Sequence, residues 1–492
     1  LTSFWKQWNR TDRSLSSLIR SRLDESYSYP PFKKKRLSIF LSPLPNVYKY
    51  PFSPITSTSS IAQTSMKVLL INTSDHTGGA AIAALRILQA LQHQGVEAKL
   101  LCRDRNLPTS RTDIIQLRST PWLKMKFFLE RLDIFIRNGF KREGLFSIDT
   151  GRFGTDITRL PAFQEADVIH LHWVNQAMLS LQDLKKILQS GKRIVWTMHD
   201  MWPFTGICHN AADCLAWKDE CKQCPLLPKP GAKDLSTRIF RKKVKTYACG
   251  KMSLVGCSQW LTQLAQQAPL LQGHQVTSIP NPIDTTFYRP GTNEGEDSQE
   301  QLRETLGLPV EKRLLLFTAF KVTDPNKGID YLIESITLLC QEHPELRDHI
   351  AIVLAGKEAE TLTNAFAVPA YSMGYVTDEA KMRNLYQACD LLLMPTLMDN
   401  LPNTIVEAMA CGIPCVAFQV GGVPQMIDSG INGFLAAYRN SLDFAHNIYR
   451  ALYSQSYPAL CRNARSKAVA AYSEKAVADK YIQLYRAEGN TH

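Results

Sequence analysis

Apolar and polar positions along this chain switch between two periods. Short runs of consecutive apolar residues, rich in β-branched side chains, are followed by stretches in which apolar residues return every three or four positions. From residue 66 the runs are MKVLLINTS, EAKLLCRD, ADVIHLHWV, KRIVWTMHD and KMSLVGCSQ, interleaved with helical patterns such as GGAAIAALRILQALQHQG and LQDLKKILQSG. A Pro-, Gly- and acid-rich stretch, IPNPIDTTFYRPGTNEGEDSQE (279–300), interrupts the series. It resumes with RLLLFTAF, IAIVLAG, AYSMGYV, LLLMPT and PCVAFQ, separated by KGIDYLIESITLLCQE, KMRNLYQACD and the helix that follows Pro402. Strands alternating with crossover helices predict an α/β fold of doubly wound parallel sheets. Two such series predict two Rossmann-like domains, 66–290 and 291–472, facing an interdomain cleft, and a last helix (473–492) that crosses back to the first domain.

Residues 1–65 lack this alternation. They hold ten Lys/Arg against three Asp/Glu, supply +7 of the chain's formal charge of +12, and contain no methionine. Met66 stands directly before the first strand, so it reads as the functional start, with 1–65 an over-extended reading frame or a disordered basic tail. A basic, acid-poor targeting or membrane-binding arm is the other reading. The rest of the composition, 45% apolar and 21% charged, is that of a globular enzyme. No run approaches the roughly 20 apolar residues of a membrane-spanning helix. The positive charge points to an anionic partner, a nucleotide, a phospholipid or a nucleic acid, and no nucleic-acid recognition motif supports the last.

Doubly wound sheets bind ligands beyond the carboxyl ends of their strands, and several motifs sit there. HTGGAA (76–81) follows the first strand and opens a helix; Gly78 and Gly79 clear the way for a phosphate at the helix N-terminus, or form a tight turn with no ligand. WTMHD (196–200) puts His199 at a strand end, within reach of a substrate hydroxyl or a developing charge; His170 and His172 of HLHW are more ordinary candidates for packing inside. In FKVTDPNKG (320–328), Lys321 and Lys327 lie six apart across a loop and could share one diphosphate, or be two solvated lysines. PTLMDNLPNTIVEAMACG (395–412) places Asp399 before a helix, Pro402 in its first turn, Glu407 about two turns in and Gly412 at its end. Two carboxylates so spaced can serve two levels of one cleft; the plainer alternative is an N-cap and a surface glutamate.

These pieces carry a resemblance. The order K-x5-KG, GYV (374–376), D-x7-EAMACGIPCVAF, GG-x-P (421–424) and NGF (432–434) is similar to the C-terminal half of family 4, GT-B-fold retaining glycosyltransferases. HTGGAA, HLHW and HDMWPFTG resemble the branch of colanic-acid and related exopolysaccharide glycosyltransferases, so the likeness covers essentially all of 66–490. It implies a UDP- or GDP-sugar donor and a glycan or lipid-linked glycan acceptor in bacterial surface polysaccharide biosynthesis, at a cytoplasmic site on the inner face of the plasma membrane. It implies that Glu407 binds the ribose hydroxyls, and that Asp399 and His199 lie beside the transferred sugar. The amides of Asn400, Leu401, Pro402, Asn403 and Thr404 would meet sugar and diphosphate, with Lys321 and Lys327 neutralising the latter. Gly374, Tyr375 and Val376 would border the base, and Gly78 and Gly79 cap the diphosphate from the other domain. Two positions depart from the family pattern. Asp399 replaces the usual glutamate and Lys321 the frequent arginine, giving a shorter acid and a cation without a bidentate fork. No D-x-D pair stands where a metal-binding loop would be needed, so no cofactor is expected for catalysis.

Two features lie outside the motifs. Cys208, Cys214, Cys221 and Cys224 fall within seventeen residues and end in C-x2-C, a set that suits a structural zinc, free or redox-active thiols, or disulfides. STPWLKMKFFLERLDIFIRNGFKRE (119–143) is basic, amphipathic and aromatic, which fits either a membrane surface or the core. Two other activities share the leading pattern: an epimerase acting on the nucleotide-sugar alone, and a non-catalytic sugar- or nucleotide-binding protein.

Overall fold

The computed structural model describes residues 66–118, 121–141, 144–292, 294–295 and 298–487; the expectations for 1–65 lie outside these residues. The first half holds β1 (Lys67–Ser74), α1 (Gly79–His93), β2 (Glu97–Asp104), β3 (Ile114–Gln116), α2 (Pro121–Arg137), β4 (Val168–Leu171) and α3 (Leu181–Leu188). It continues through β5 (Arg193–Met198), α4 (Leu235–Tyr247), β6 (Ser253–Gly256), α5 (Gln259–Gln266) and β7 (Gln275–Ser278). The second half runs α6 (Gln299–Thr305), β8 (Arg313–Lys321), α7 (Ile329–Glu342), β9 (Ile350–Lys357), β10 (Ala370–Gly374), α8 (Glu379–Ala388) and β11 (Leu391–Met394). It ends with α9 (Asn403–Ala410), β12 (Cys415–Phe418), β13 (Gly433–Ala436), α10 (Ser441–Leu452), α11 (Tyr457–Tyr472) and α12 (Glu474–Arg486).

All pairings between these strands are parallel. The strand orders are β3-β2-β1-β4-β5-β6-β7 and β10-β9-β8-β11-β12-β13, the two-winged arrangement that the alternation predicts. Strand side chains alternate between two apolar clusters, because each sheet is covered on both faces. Leu69 and Ile71 enter one core and Val68 and Leu70 the other; in the second sheet Leu314 and Leu316 part from Leu315 and Phe317 in the same way. Each order reverses once, between β1 and β4 and between β8 and β11, so a crevice opens at the carboxyl ends of those strands.

Two crossing segments join the halves side by side. Ile283, on the way out, accepts from the Glu474 amide at 3.2 Å and donates to the Tyr472 carbonyl at 2.8 Å, on the way back. Helix α12 then settles on the first sheet, with Val477, Tyr481 and Tyr485 in the same core as Val68 and Leu70. Tyr481 shares a hydrogen bond with Thr197 of β5 at 2.8 Å, and Tyr485 one with His170 of β4 at 2.7 Å. Burying such side chains is worth about 1.5–3 kcal/mol each.

Candidate active site between the two sheets

The loop after β1 is built by a serine. Ser74 Oγ accepts from the Thr77 amide at 3.0 Å, turning the chain so that exposed Gly78, at φ +92°, leads into α1. A Cβ on Gly78 or Gly79 would meet nothing within 4 Å, so both face open space at a helix N-terminus. In the second half, Asp324 caps a short turn over Pro325–Lys327, and Gly328 follows at φ +72°. A side chain on Gly328 would collide with the Pro395 carbonyl, which locks the lysine loop onto the loop after β11. Lys327 there reaches Asp399 at 2.8 Å.

Asn400 ties that loop to the first half. Its amide donates to the His199 carbonyl at 3.2 Å, and its oxygen accepts from Ser258 Oγ. Gly421 and Gly422 lie beneath: a Cβ on them would strike the carbonyls of Asp399 and Asn400, so the loop depends on both glycines. Pro402 is the N-cap of α9, and Leu401 before it is buried. Asn403, in the first turn, takes a 3.4 Å contact from Asn281 of the linker, with Thr404 beside it.

Glu407 is buried, not a surface helix residue. One carboxylate oxygen takes Arg86 of α1 at 2.7 Å and the other takes the Tyr386 hydroxyl of α8 at 2.8 Å. Burial works against the charge on Arg86, but Glu407 outweighs it and holds the guanidinium protonated. Each oxygen keeps a second acceptor position, enough for two hydroxyls of a diol.

His199 is the end of a row of imidazoles. Its Nε2 lies 3.1 Å from His172 Nδ1, and His172 lies tilted against His170, 4.2 Å between ring centroids. Burial pushes His199 down to about 4 and His170 to about 3, and His172 is also held well below its usual value. All three are neutral at pH 7, so His199 can donate or accept a hydrogen bond but brings no charge. Beside them, Asp200 accepts from His209 at 2.7 Å and from Trp173 at 2.8 Å. Burial raises the Asp200 carboxyl, but these partners outweigh it and hold the group ionised.

The remaining expected residues make other contacts. Lys321 pairs with Glu358 at 3.1 Å rather than sharing a carboxylate with Lys327. Gly374, at φ +63°, ends β10, and Tyr375 packs edge-on against Phe320 beneath the Lys357 ammonium, with partly buried Val376 next to it. Cys208, Cys214, Cys221 and Cys224 all line one small cavity with Trp217 and Ile207. Among the described residues no group of three or more His, Cys, Asp or Glu is placed to hold a metal ion. The four are free thiols, and burial pushes Cys208 up to about 11 and Cys221 to about 12. Buried Lys243 pins the preceding loop by donating to the Thr205 carbonyl at 3.1 Å and to the Trp202 carbonyl.

Two family models match this chain, Glycosyltransferase Family 4 over residues 77–287 and Glycosyl transferases group 1 over 311–454, together more than half of its length. The chain belongs to the family 4 glycosyltransferases. This glycosyltransferase is 25% identical over 353 residues to a D-inositol 3-phosphate glycosyltransferase of Saccharomonospora viridis, covering 68% of this chain and 74% of that protein. It is 22% identical over 446 residues to WcaC of Escherichia coli, a protein named for colanic acid biosynthesis, covering 86% of this chain and all of WcaC. Its fold matches that of HepE from Anabaena, solved with UDP-glucose, at a TM-score of 0.56 and 16% identity over 85% of this chain and 99% of HepE. It also matches WaaG, a glycosyltransferase involved in lipopolysaccharide biosynthesis, at 0.53 and 16% over 85% of this chain and all of WaaG. The glycosyltransferase is therefore GT-B in fold, the two parallel sheets being its two halves.

Arg86, Tyr386 and Ser258 are the contributors that the motifs do not contain. Arg86 sits in a helix whose period reads as core packing, and its partner lies 321 residues away.

Proposed function

We propose that the protein transfers a hexose from a nucleotide-sugar to a glycan acceptor, lipid-linked, with retention of anomeric configuration, in the making of a bacterial surface polysaccharide. The observation that carries the reading is the convergence of Lys327, Asp399 and Asn400 with His199 of the other half at the strand carboxyl ends. Departure of the nucleotide leaves charge on the diphosphate, which Lys327, Lys321 and the glycine-led N-terminus of α1 stabilise as it develops. The sugar becomes oxocarbenium-like, and Asp399, with neutral His199, holds its hydroxyls and offsets the charge. Front-face attack by the acceptor follows, and Glu407 receives the ribose diol on its two remaining acceptor positions. HepE, solved with UDP-glucose, and WaaG and WcaC, named for surface glycans, support the donor class and the setting.

A panel of UDP- and GDP-sugars tested by thermal shift identifies the donor, because a ligand at 100 times its Kd stabilises by about 2.7 kcal/mol. The expected result is one responding sugar, followed by transfer to lipid-linked glycan with the product anomer, read by NMR, matching the donor. An epimerised sugar released from donor alone, or an inverted product, overturns the reading.

A further inference from the structure

Helix α2 is apolar on two opposite sides. Its inner side carries buried Leu123, Glu130 and Ile134. Its outer side shows Trp122, Met125, Phe128, Leu132 and Ile136 to solvent, with Trp122 64%, Phe128 50% and Ile136 51% exposed. These positions recur at helical spacing, so they form one stripe about 21 Å long on a convex ridge. Phe140 (68%) and Phe146 (59%) extend the same apolar region, Phe140 lying edge-on to Phe135 of the helix and Phe146 beneath Arg131. Isolated exposed apolar residues need no explanation, but a continuous aromatic stripe does.

The charge around the stripe is one-sided. Residues 121–141 contain five Lys/Arg and two Asp/Glu. Of the two acids, Glu130 is buried and Asp133 is taken by Arg137 at 2.8 Å and Arg152 at 2.9 Å, while Lys124 and Lys141 are exposed. The helix also has a definite place in the fold. Lys126 donates to the Gly154 carbonyl at 2.6 Å, the Arg103 guanidinium at the end of β2 lies over Phe127, and Arg131 stands 3.5 Å from Asp149. Asp149 in turn accepts from the Gln176 amide after β4, and its carbonyl accepts from Trp202 after β5. The helix thus lies over the carboxyl ends of the first sheet, the same end that carries His199.

We propose that this face of α2 docks the protein on an anionic lipid bilayer, the aromatic stripe entering the interface and the lysines meeting phosphate headgroups. A convex apolar ridge with basic flanks fits a flat, negatively charged surface, and aromatic side chains favour the headgroup level. Docked there, the open end of the first sheet faces the membrane. No described helix is long and apolar enough to cross a membrane, so the contact is peripheral. The purpose assigned to this face rests on the lipid-linked acceptor proposed above; its test does not, since neither donor nor acceptor is present.

Co-sedimentation of the full chain with phosphatidylglycerol vesicles and with phosphatidylcholine vesicles tests it, beside the triple variant Trp122→Ser, Phe128→Ser, Ile136→Ser. The expected result is binding to the anionic vesicles that weakens with salt and falls at least tenfold in the variant, with unchanged circular dichroism and an unchanged monomer mass. A second variant, Lys124→Glu with Lys141→Glu, keeps the apolar face and is expected to lose the preference for anionic over neutral vesicles. Failure of the wild-type chain to sediment, or full binding by the triple variant, overturns the proposal. So does a wild-type dimer that the triple variant converts to monomer, which would make the stripe an interface between two copies.

Discussion

A carboxylate with only a tenth of its side chain exposed needs a partner for each oxygen, and Glu407 has Arg86 on one and Tyr386 on the other. Arg86→Met leaves that charge buried and half unpaired, a change that costs about 3–5 kcal/mol. Calorimetry should show a large fall in melting temperature and kinetics a raised donor KM, because the acceptor positions proposed for ribose are no longer aimed. Tyr386→Phe removes one hydrogen bond to a charged group and should cost only about 1.5–3 kcal/mol. Equal effects of the two would show that Arg86 does not hold Glu407 in place. The two lysines should also part company. Lys327→Ala is expected to lower kcat by about 10²–10³, as loss of a preorganised charge-stabilising group does, and Lys321→Ala by clearly less, since the Lys321 charge is already paired with Glu358 whereas Lys327 is paired with Asp399. Asp399, Glu407 and Lys327 were legible in the sequence because their spacing is local to one loop or helix. Arg86 was not, because a guanidinium in an apolar period carries no mark of the distant carboxylate that it faces.

Whole elements meet at the row of imidazoles that joins β4 to β5. Burial depresses all three, so the folded chain holds them neutral where the unfolded chain would protonate them. Between about pH 6.5 and about 4 the unfolded state therefore binds more protons, and stability falls as pH falls through that window. Urea midpoints measured from pH 7.5 to 4.5 should decline, and His172→Gln should flatten the decline; a flat wild-type profile would contradict the neutral row. The same scale shows what pattern reading reaches. Long strands such as Arg313–Lys321 and helices with a clear apolar face were readable, whereas β3 and β7, of three and four residues, were not. Both are edge strands with little buried surface, so they lack the apolar run that marks the equally short β4, β6, β11 and β12, and only pairing with β2 or β6 makes them strands. The cysteine spacing likewise foretold a cluster, and the four thiols do share a cavity, but spacing alone says nothing about whether their sulfurs point to a common centre.

The molecule as a whole is stitched at both ends of its second half, by the linker at Ile283 and by α12. Removing residues 473–492 takes Val477, Tyr481 and Tyr485 from the first sheet and strips His170 of the Tyr485 hydroxyl. Three lost anchors at about 1.5–3 kcal/mol each rival the roughly 5–15 kcal/mol by which a domain is stable, so the truncated chain should be insoluble or molten by near-UV circular dichroism. Tyr481→Phe with Tyr485→Phe keeps the rings and should retain the fold with a lowered melting temperature. This docking also sets an order of events at the ribosome. The strands of the first sheet are complete by Ser278, but the helix that closes one of its faces begins at Glu474, roughly 200 residues later. At about 5–20 residues per second that face, covered meanwhile by Ile87, Leu88 and Leu91 of α1, waits some 10–40 s for Val477, Tyr481 and Tyr485, and His170 for the Tyr485 hydroxyl. The chain's first half is thus the last to finish folding, because the helix that completes its core comes after the whole of the second half in the sequence.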